Sequence, residues 1–244
     1  MVNGRPAAAD NSGLRAANSG LRAAKGGLRP ALSLFRFYFF DWDGCLAHTL
    51  PYWLAGYRAA LGRRGLHPSD EVIVRELFSD WSGPARFGVA DPGPFVEEMA
   101  AYLSEHAGEV QLNPHVVEVL TRLKGLGRTT ALLTACRRDI VLPTLARYGV
   151  SPLLDLVLGF EDVSRPKPDP EVVLVALERL GAEAQEALFI GDSDKDIQAA
   201  LAAGVEMALY LPEHNRAYYS DQLLRSWNPG RVIRDFRELL PAES

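Results

Sequence analysis

Residues 35–44 have the sequence Phe-Arg-Phe-Tyr-Phe-Phe-Asp-Trp-Asp-Gly, a short aromatic run that ends in two carboxylates. A run of this kind predicts a β-strand over residues 35–40. In open α/β sheets, ligands bind at the carboxyl ends of the strands. Asp41 and Asp43 therefore stand where such a fold carries its chemistry, although an Asp-rich turn would give the same pattern by chance in some chains.

The rest of the chain alternates between short apolar runs and helical patterns. Further strands are predicted over residues 129–133, 156–158, 187–190, 205–210 and 231–233. Asn113-Pro114 has the composition of a helix start, with Asn113 as the cap, and Gly125 marks the end of that helix. This alternation predicts an α/β fold with a mostly parallel sheet.

One segment breaks the alternation. Residues 50–110 contain helical patterns only, with apolar side chains such as Trp53, Tyr57 and Leu61 spaced along one face. The loops between these helices are rich in glycine and proline. We therefore expect a helical insertion directly after the first strand.

The N-terminus has a different composition from the rest of the chain. The sequence Asn-Ser-Gly-Leu-Arg-Ala-Ala occurs at residues 11–17 and again at 18–24, and then decays over residues 25–31. Because this repeat is basic and has no apolar face, residues 1–33 are predicted to be a disordered, low-complexity tail. A transit peptide and a misassigned start codon remain alternatives.

Composition excludes several classes of protein. The net charge of −5 argues against binding to a nucleic-acid backbone, because such proteins usually carry a basic stripe. No apolar run reaches the roughly 18 residues that span a bilayer, so no membrane association is expected. Two cysteines, Cys45 and Cys136, are too few for a disulfide framework, which indicates a reducing compartment and a cytoplasmic protein.

Polar residues follow three further strands or loops in the same manner as Asp41. They are Thr134 after residues 129–133, Lys167 inside Arg165-Pro-Lys-Pro-Asp-Pro170, and Asp192 and Asp196 after residues 187–190. A helix cap would explain Thr134, and the helix dipole would explain each acid, when they are taken one at a time. Together they place four groups at one edge of the sheet.

Carboxylates gathered in this way need a cation. Two like charges about 4 Å apart repel by about 4 kcal/mol at an effective dielectric of about 20. Since oxygen ligands without His or Cys favour Mg²⁺, the expected cofactor is Mg²⁺.

The order Asp-x-Asp-Gly, strand-Thr, Lys-Pro and Gly-Asp-Ser-x-x-Asp resembles the haloacid dehalogenase superfamily of phosphohydrolases over about residues 35–212. The insertion is similar to the small helical cap of its phosphoglycolate phosphatase and β-phosphoglucomutase-like branch. The resemblance implies a Rossmann-like three-layer core, residues 34–48 and 112–244, and a cap of residues 49–111.

The resemblance also implies a role for each residue. Asp41 would be the nucleophile that forms an aspartyl phosphate, and Asp43 the acid that protonates the leaving oxygen and then activates water. Thr134 and Lys167 would hold the phosphoryl oxygens. Asp41, the Asp43 carbonyl and Asp192 would bind Mg²⁺, with Asp196 in support. The presence of Asp43 favours phosphoryl transfer over dehalogenation.

The substrate is expected to contact the cap. Arg86, the only base of the loop over residues 79–94, is predicted to meet a second anionic group of the substrate, with a solvated arginine as the alternative. Arg137 and Arg138 are comparable candidates. Cys45 and His48 depart from the usual family residues; Cys45 is expected to pack, with an oxidation switch shared with Cys136 as the alternative.

These observations predict a Mg²⁺-dependent phosphatase that hydrolyses a small phosphorylated metabolite, phosphoglycolate-like or another phosphomonoester, as a monomer or homodimer. A phosphomutase is the alternative, but related mutases carry a hinge His where this chain has Trp53. A non-catalytic regulatory relative is less favoured because the motif residues are retained.

Overall fold

A computed structural model describes residues 30–78 and 82–242 of the protein. The predicted tail therefore falls, apart from residues 30–33, outside the described residues. Leu32–Leu34 form a short 3-10 turn. The Tyr38 hydroxyl of the first strand donates to the Leu32 carbonyl at 2.8 Å, which ties this turn to the sheet.

A parallel sheet of six strands forms the centre of the described residues. The strands are β1 (Phe37–Phe40), β2 (Thr129–Leu133), β3 (Leu156–Leu158), β4 (Ala187–Gly191), β5 (Glu206–Tyr210) and β6 (Val232–Ile233). Their order across the sheet is β3-β2-β1-β4-β5-β6, and every neighbouring pair is parallel. The predicted α/β fold with a parallel sheet is thus confirmed.

Helices connect the strands and cover the sheet. They are α1 (Leu50–Gly62), α2 (Asp70–Leu77), α3 (Pro92–His106), α4 (Val116–Gly125), α5 (Arg138–Arg147), α6 (Glu171–Leu180), α7 (Asp194–Ala202) and α8 (Asp221–Trp227). Helices α4 and α6 pack on β2, and α7 packs on β4 and β5. Strands β1 and β4 are buried along their whole length, which explains why they consist of apolar and aromatic residues. No helix among the described residues has the length and apolar character needed to cross a membrane.

Between β1 and α4, the described residues form helices and turns, as the sequence pattern predicts. Helix α1 packs against α2 and α3, and the Tyr57 ring lies at their centre, 6.1 Å from the rings of Phe78 and Phe95. The Tyr57 hydroxyl donates to the Leu77 carbonyl at 2.9 Å. Apolar side chains spaced along one face of α1 thus build a small core for this helical insertion.

The predicted start of α4 was wrong. The helix begins at Val116, after His115 with a φ of 66°, rather than at Asn113-Pro114. The Asn113 side chain is used elsewhere: its amide donates to the Cys45 carbonyl at 2.5 Å, so it does not cap the helix. This bond joins the two chain segments that run between the sheet and the helical insertion.

Candidate active site

The candidate site lies at the carboxyl edge of the sheet, where β1 is flanked by β2 and β4. The backbone amide of Asp41 donates to the Ile190 carbonyl at 2.9 Å, and that of Thr134 donates to the Leu158 carbonyl at 2.9 Å. These bonds extend the strand ladders by one residue. Asp41, Thr134 and Asp192 are each no more than 3% exposed, so the first residues past three adjacent strands meet in a buried space.

Lys167 reaches this space from the loop before α6. Its ammonium donates to Asp41 Oδ1 at 2.6 Å and to Asp196 Oδ1 at 2.6 Å. It also donates to the Leu133 carbonyl at 3.3 Å. Burial works to lower the pKa of Lys167, but the Asp196 and Asp41 carboxylates outweigh it and hold that pKa above its ordinary value. Lys167 is therefore a fixed positive charge between two carboxylates.

The loop that carries Lys167 is held at both ends. The Glu171 carboxylate, at the start of α6, accepts from the amides of Ser164 and Arg165, both at 2.9 Å. The Asp169 carboxylate accepts from the Glu171 amide at 3.0 Å. Prolines fix φ at three positions of the same loop. These contacts limit the positions open to the Lys167 side chain.

Burial disfavours the anionic forms of Asp41 and Asp192. Burial raises the pKa of Asp41 to about 7, against the lowering effect of Lys167. Burial likewise raises the pKa of Asp192 well above its ordinary value, and the Asp196 and Asp41 charges add to it. Asp41, Asp192 and Asp196 each offer an oxygen, and these oxygens lie within 4.8 Å of one another. One ammonium does not balance three such carboxylates, so the site favours a further cation.

Both carboxylate oxygens of Asp196 already accept hydrogen bonds from protein donors. Its Oδ1 accepts from Lys167, and its Oδ2 accepts from the Ser193 amide at 3.1 Å and the Ser193 hydroxyl at 2.7 Å. Ser193 in turn caps α7. Within the cluster, Asp41 and Asp192 are therefore better placed to bind a metal than Asp196. Oxygen donors alone, with neither His nor Cys among them, fit Mg²⁺.

Asp43 faces a different neighbour. Its Oδ1 accepts from the indole nitrogen of Trp53, in α1, at 2.7 Å. Burial raises the pKa of Asp43, while hydrogen bonds from Trp53 and Thr49 work to lower it. The carboxyl group thus bonds to the helical insertion, while it still interacts electrostatically with Lys167 and Asp196. Its predicted roles as acid, and through its carbonyl as metal ligand, stay predictions.

Thr134 directly follows β2, at the carboxyl edge of the sheet as predicted, and its hydroxyl accepts from the Cys136 amide at 2.9 Å. A hydroxyl that accepts this bond still has a proton to donate to a phosphoryl oxygen. Cys136 and Cys45 are buried thiols, and burial raises the pKa of both well above the ordinary value. The reactive thiolate form is therefore disfavoured, which supports packing as the role of Cys45.

The predicted cations for a second anionic group lie in ion pairs. Arg86, in the 3-10 turn Gly83–Phe87, donates to the Glu76 carbonyl at 2.8 Å and lies 3.7 Å from its carboxylate. Arg137 pairs with Asp139 at 2.7 Å and with Glu97 of α3 at 3.3 Å. Arg138 lies 3.4 Å from Asp162. The contact of Arg86 with substrate stays a prediction.

A small, partly open cavity lies beside Asp43, with a volume of about 20 Å³. This is room for about one water molecule. The cavity is lined by residues of the helical insertion and of the segments around the sheet: Trp42, Asp43, Thr49, Tyr52, Leu103, Ala107, Val110, Cys136, Ile140 and Thr144.

Sequence reasoning missed two residues of the site. Trp53 is the hydrogen-bond donor to Asp43, and Tyr219 donates its hydroxyl to Asp192 Oδ2 at 2.7 Å. From the sequence, Trp53 is an apolar residue on one face of α1 and differs from the hinge His of the mutases. Tyr219 follows β5 in a region that no motif covers, so no local signal identifies it.

This arrangement can be compared with known proteins. Residues 38–210 match the family model of haloacid dehalogenase-like hydrolases. The chain belongs to this family. The match contains the Asp41 motif, the helical insertion, Lys167 and Asp192, and it confirms the resemblance inferred from the order of the motifs.

Two curated relatives are similar over most of their length. A phosphoglycolate phosphatase from Yersinia pestis is 30% identical over 216 residues, which cover 83% of this chain and 90% of the relative. An N-acetylmuramic acid 6-phosphate phosphatase from Pseudomonas aeruginosa is 31% identical over 215 residues, covering 82% and 91%. Their names confirm the prediction of an enzyme of the phosphoric monoester hydrolase class.

Solved structures support the fold. The crystal structure of a hydrolase from Pseudomonas syringae has a TM-score of 0.73 to this chain at 21% identity, and the likeness covers 84% of this chain and 95% of the other. It confirms the Rossmann-like α/β fold.

Proposed function

We propose that this protein is a Mg²⁺-dependent phosphatase that hydrolyses a small phosphomonoester through an aspartyl phosphate at Asp41. The observation that carries the proposal is the buried Lys167 ammonium, 2.6 Å from Asp41 Oδ1, with Asp43 two residues further along the chain. A carboxylate beside a fixed cation can accept a phosphoryl group, whose negative charge the cation offsets.

In the first step, a carboxylate oxygen of Asp41 attacks phosphorus, and the bond from phosphorus to the leaving oxygen breaks. Asp43 gives its proton to that oxygen, so the alcohol leaves neutral. The raised pKa of Asp43 favours the protonated form that this step needs. Lys167 and the Thr134 hydroxyl hold the oxygens of the phosphoryl group during transfer.

In the second step, Asp43 takes a proton from water, and the water oxygen attacks phosphorus. The bond between phosphorus and Asp41 breaks, which releases phosphate and restores the carboxylate. Trp53 donates to Asp43 Oδ1 at 2.7 Å, and this bond orients the carboxyl group for both proton transfers.

The oxygen donors of Asp41 and Asp192 fit Mg²⁺, and the Asp43 carbonyl is proposed as a third protein ligand. When bound, the ion would supply positive charge that offsets the charge of the phosphoryl group. Asp196 would act by holding Lys167, since its two oxygens already accept from Lys167 and Ser193.

A cap of residues 49–111 is proposed to close over the leaving group, and a core of residues 34–48 and 112–244 to carry the chemistry. Two contacts support this division: Asn113 joins the connecting segments through the Cys45 carbonyl, and Trp53 links the insertion to Asp43. Arg86 is proposed to contact a second anionic group of the substrate. The relatives' names share a phosphomonoester but differ in its leaving group, so the proposal extends to that class.

The phosphatase is favoured over a phosphomutase by Trp53. The position at which the mutases carry a hinge His is filled by an indole that donates to Asp43. An indole cannot shuttle a proton as an imidazole does. This difference supports water as the acceptor of the phosphoryl group.

The proposal is tested by phosphate release from p-nitrophenyl phosphate, measured with Mg²⁺ and with EDTA, beside Asp41→Asn. We expect release that requires Mg²⁺ and is lost in the variant while the circular dichroism spectrum is unchanged. Release that persists in Asp41→Asn or in EDTA would contradict the proposal.

A further inference from the structure

The segment of residues 212–219, here called the rim segment, follows β5 and contains no family motif. It begins with a 3-10 turn, Glu213–Ala217, and it ends at Tyr219 beside the carboxylate cluster. Asn215 is fully buried, and its amide donates to the Gly44 carbonyl at 2.7 Å. The rim segment is therefore anchored to the turn that carries Asp43.

Tyr219 is the end of the rim segment and faces Asp192. It is 5% exposed, and its hydroxyl donates to Asp192 Oδ2 at 2.7 Å. The edge of its ring packs on Trp227, the last residue of α8, with the ring centroids 5.0 Å apart. Because the ring is packed and the segment is anchored, the hydroxyl has a fixed position.

The Asp192 carboxylate is also confined by the backbone of Gly44. A Cβ at Gly44 would lie 2.1 Å from Asp192 Oδ2, and the φ of Gly44 is 72°, a conformation that favours glycine. The same oxygen therefore lies close to the Gly44 backbone and accepts from the Tyr219 hydroxyl. These two contacts leave Asp192 Oδ1 as the oxygen available to a cation.

We propose that Tyr219 is a positioning residue for the metal site: its hydroxyl fixes Asp192 so that Oδ1 is presented to the divalent cation. The proposal rests on the proposed function, in which Asp192 binds Mg²⁺. Partners that orient a metal ligand typically contribute about 10- to 100-fold to metal affinity. Removal of the Tyr219 hydroxyl should therefore weaken metal binding by about tenfold or more.

The test is direct binding of Mn²⁺, an oxygen-ligated substitute for Mg²⁺, to the full chain after removal of metal with EDTA and dialysis. The free ion is counted by its electron paramagnetic resonance signal. The variants are Tyr219→Phe, which removes one oxygen and keeps the ring, Asp192→Asn, and Tyr148→Phe. Tyr148 lies directly after α5 and is exposed, so it serves as the matched control.

We expect a dissociation constant about tenfold or more higher in Tyr219→Phe and unchanged in Tyr148→Phe. Lost stability alone would lower the number of binding sites and not change their affinity, so a purely structural role gives a different result. In the phosphatase assay, the Mg²⁺ concentration for half-maximal rate should rise, and kcat at saturating Mg²⁺ should recover.

Two other results would overturn the proposal. The first would leave the metal site in place, and the second would remove it. If Asp192→Asn weakens binding but Tyr219→Phe stays within about twofold of the natural chain, Tyr219 has no positioning role and the metal site remains. If Asp192→Asn also leaves Mn²⁺ binding unchanged, the metal site itself is misassigned and the proposed function fails with it.

Discussion

Replacement of Lys167 with Met tests whether this ammonium holds the carboxylate cluster together. Methionine keeps much of the apolar length of the side chain and removes the charge. Lys167 is 4% exposed and lies 2.6 Å from an oxygen of Asp41 and 2.6 Å from an oxygen of Asp196. The substitution therefore leaves two buried carboxylates without their common partner.

The size of the effect follows from the distances. The two carboxylates offer oxygens within 4.8 Å of each other. Two unit charges at that distance repel by about 3.5 kcal/mol at an effective dielectric of about 20. Removal of one partner of a buried ion pair costs about 3–5 kcal/mol in general. We expect the free energy of unfolding of Lys167→Met to be about 3 kcal/mol lower at pH 8.

The loss should be smaller at low pH. Without Lys167, the pKa of Asp41, already raised to about 7, rises further in the folded state above its unfolded value of about 4. A group with a raised folded pKa contributes stability that is present below the unfolded pKa and is lost as pH rises through the folded pKa. In the natural chain this loss ends at about pH 7, whereas in the variant it continues above that pH. The difference in the free energy of unfolding between variant and natural chain should thus be small at pH 5 and grow from about pH 7 to pH 8.

The assay is urea unfolding followed by tryptophan fluorescence, in EDTA, at both pH values. Lys124→Met is the matched control, because Lys124 lies 2.6 Å from Asp155 but both side chains are about one third exposed. Such surface pairs contribute about 1 kcal/mol or less. If Lys167→Met loses no more stability than Lys124→Met at pH 8, the inference that the buried cluster depends on Lys167 is refuted.

Three further substitutions test the roles of Trp53, Arg86 and Gly44. Trp53→Phe removes the hydrogen-bond donor to Asp43 and should lower kcat for phosphate release by about tenfold, which corresponds to one hydrogen bond of about 1.4 kcal/mol. An unchanged kcat would contradict the role of Trp53. Arg86→Ala should raise KM for 2-phosphoglycolate and leave KM for ethyl phosphate unchanged. The control Arg75→Ala removes another arginine that pairs with Glu76 and should change neither KM. Equal effects of Arg86→Ala on both substrates would refute a contact with the second anionic group. Gly44→Ala places a Cβ 2.1 Å from a carboxylate oxygen of the proposed metal site, so phosphate release and the melting temperature should both fall, and an unchanged melting temperature would show that the turn can yield.

The sequence is sufficient to predict the sheet and most of the carboxylate cluster, because both depend on which residues follow one another along the chain. Aromatic and aliphatic runs mark β1 and β4, and parallel strands bring the residues after them to one edge. The positions of Asp41, Thr134 and Asp192 follow from that rule alone. The proline-rich loop before α6 is sufficient to predict that Lys167 lies near them.

The contacts that the sequence does not reveal join segments whose relative placement is set by packing. Tyr219 meets Asp192 only because the rim segment returns over the sheet edge after β5. Asn113 has the composition of a helix cap, but its amide bonds to the Cys45 carbonyl, 68 residues away in the chain, and the helix starts later. Such pairs depend on tertiary distance, which no local pattern encodes.

If Asp41 carries the phosphoryl group during turnover, the aspartyl phosphate can be trapped chemically. Protein turning over a phosphomonoester in Mg²⁺ is quenched with acid, treated with borohydride, which reduces an acyl phosphate to the alcohol, and mapped by mass spectrometry of its peptides. We expect homoserine at position 41, absent when substrate is omitted and absent in Asp41→Asn. Homoserine at another position, or none at all from protein that releases phosphate and is quenched during turnover, would contradict it.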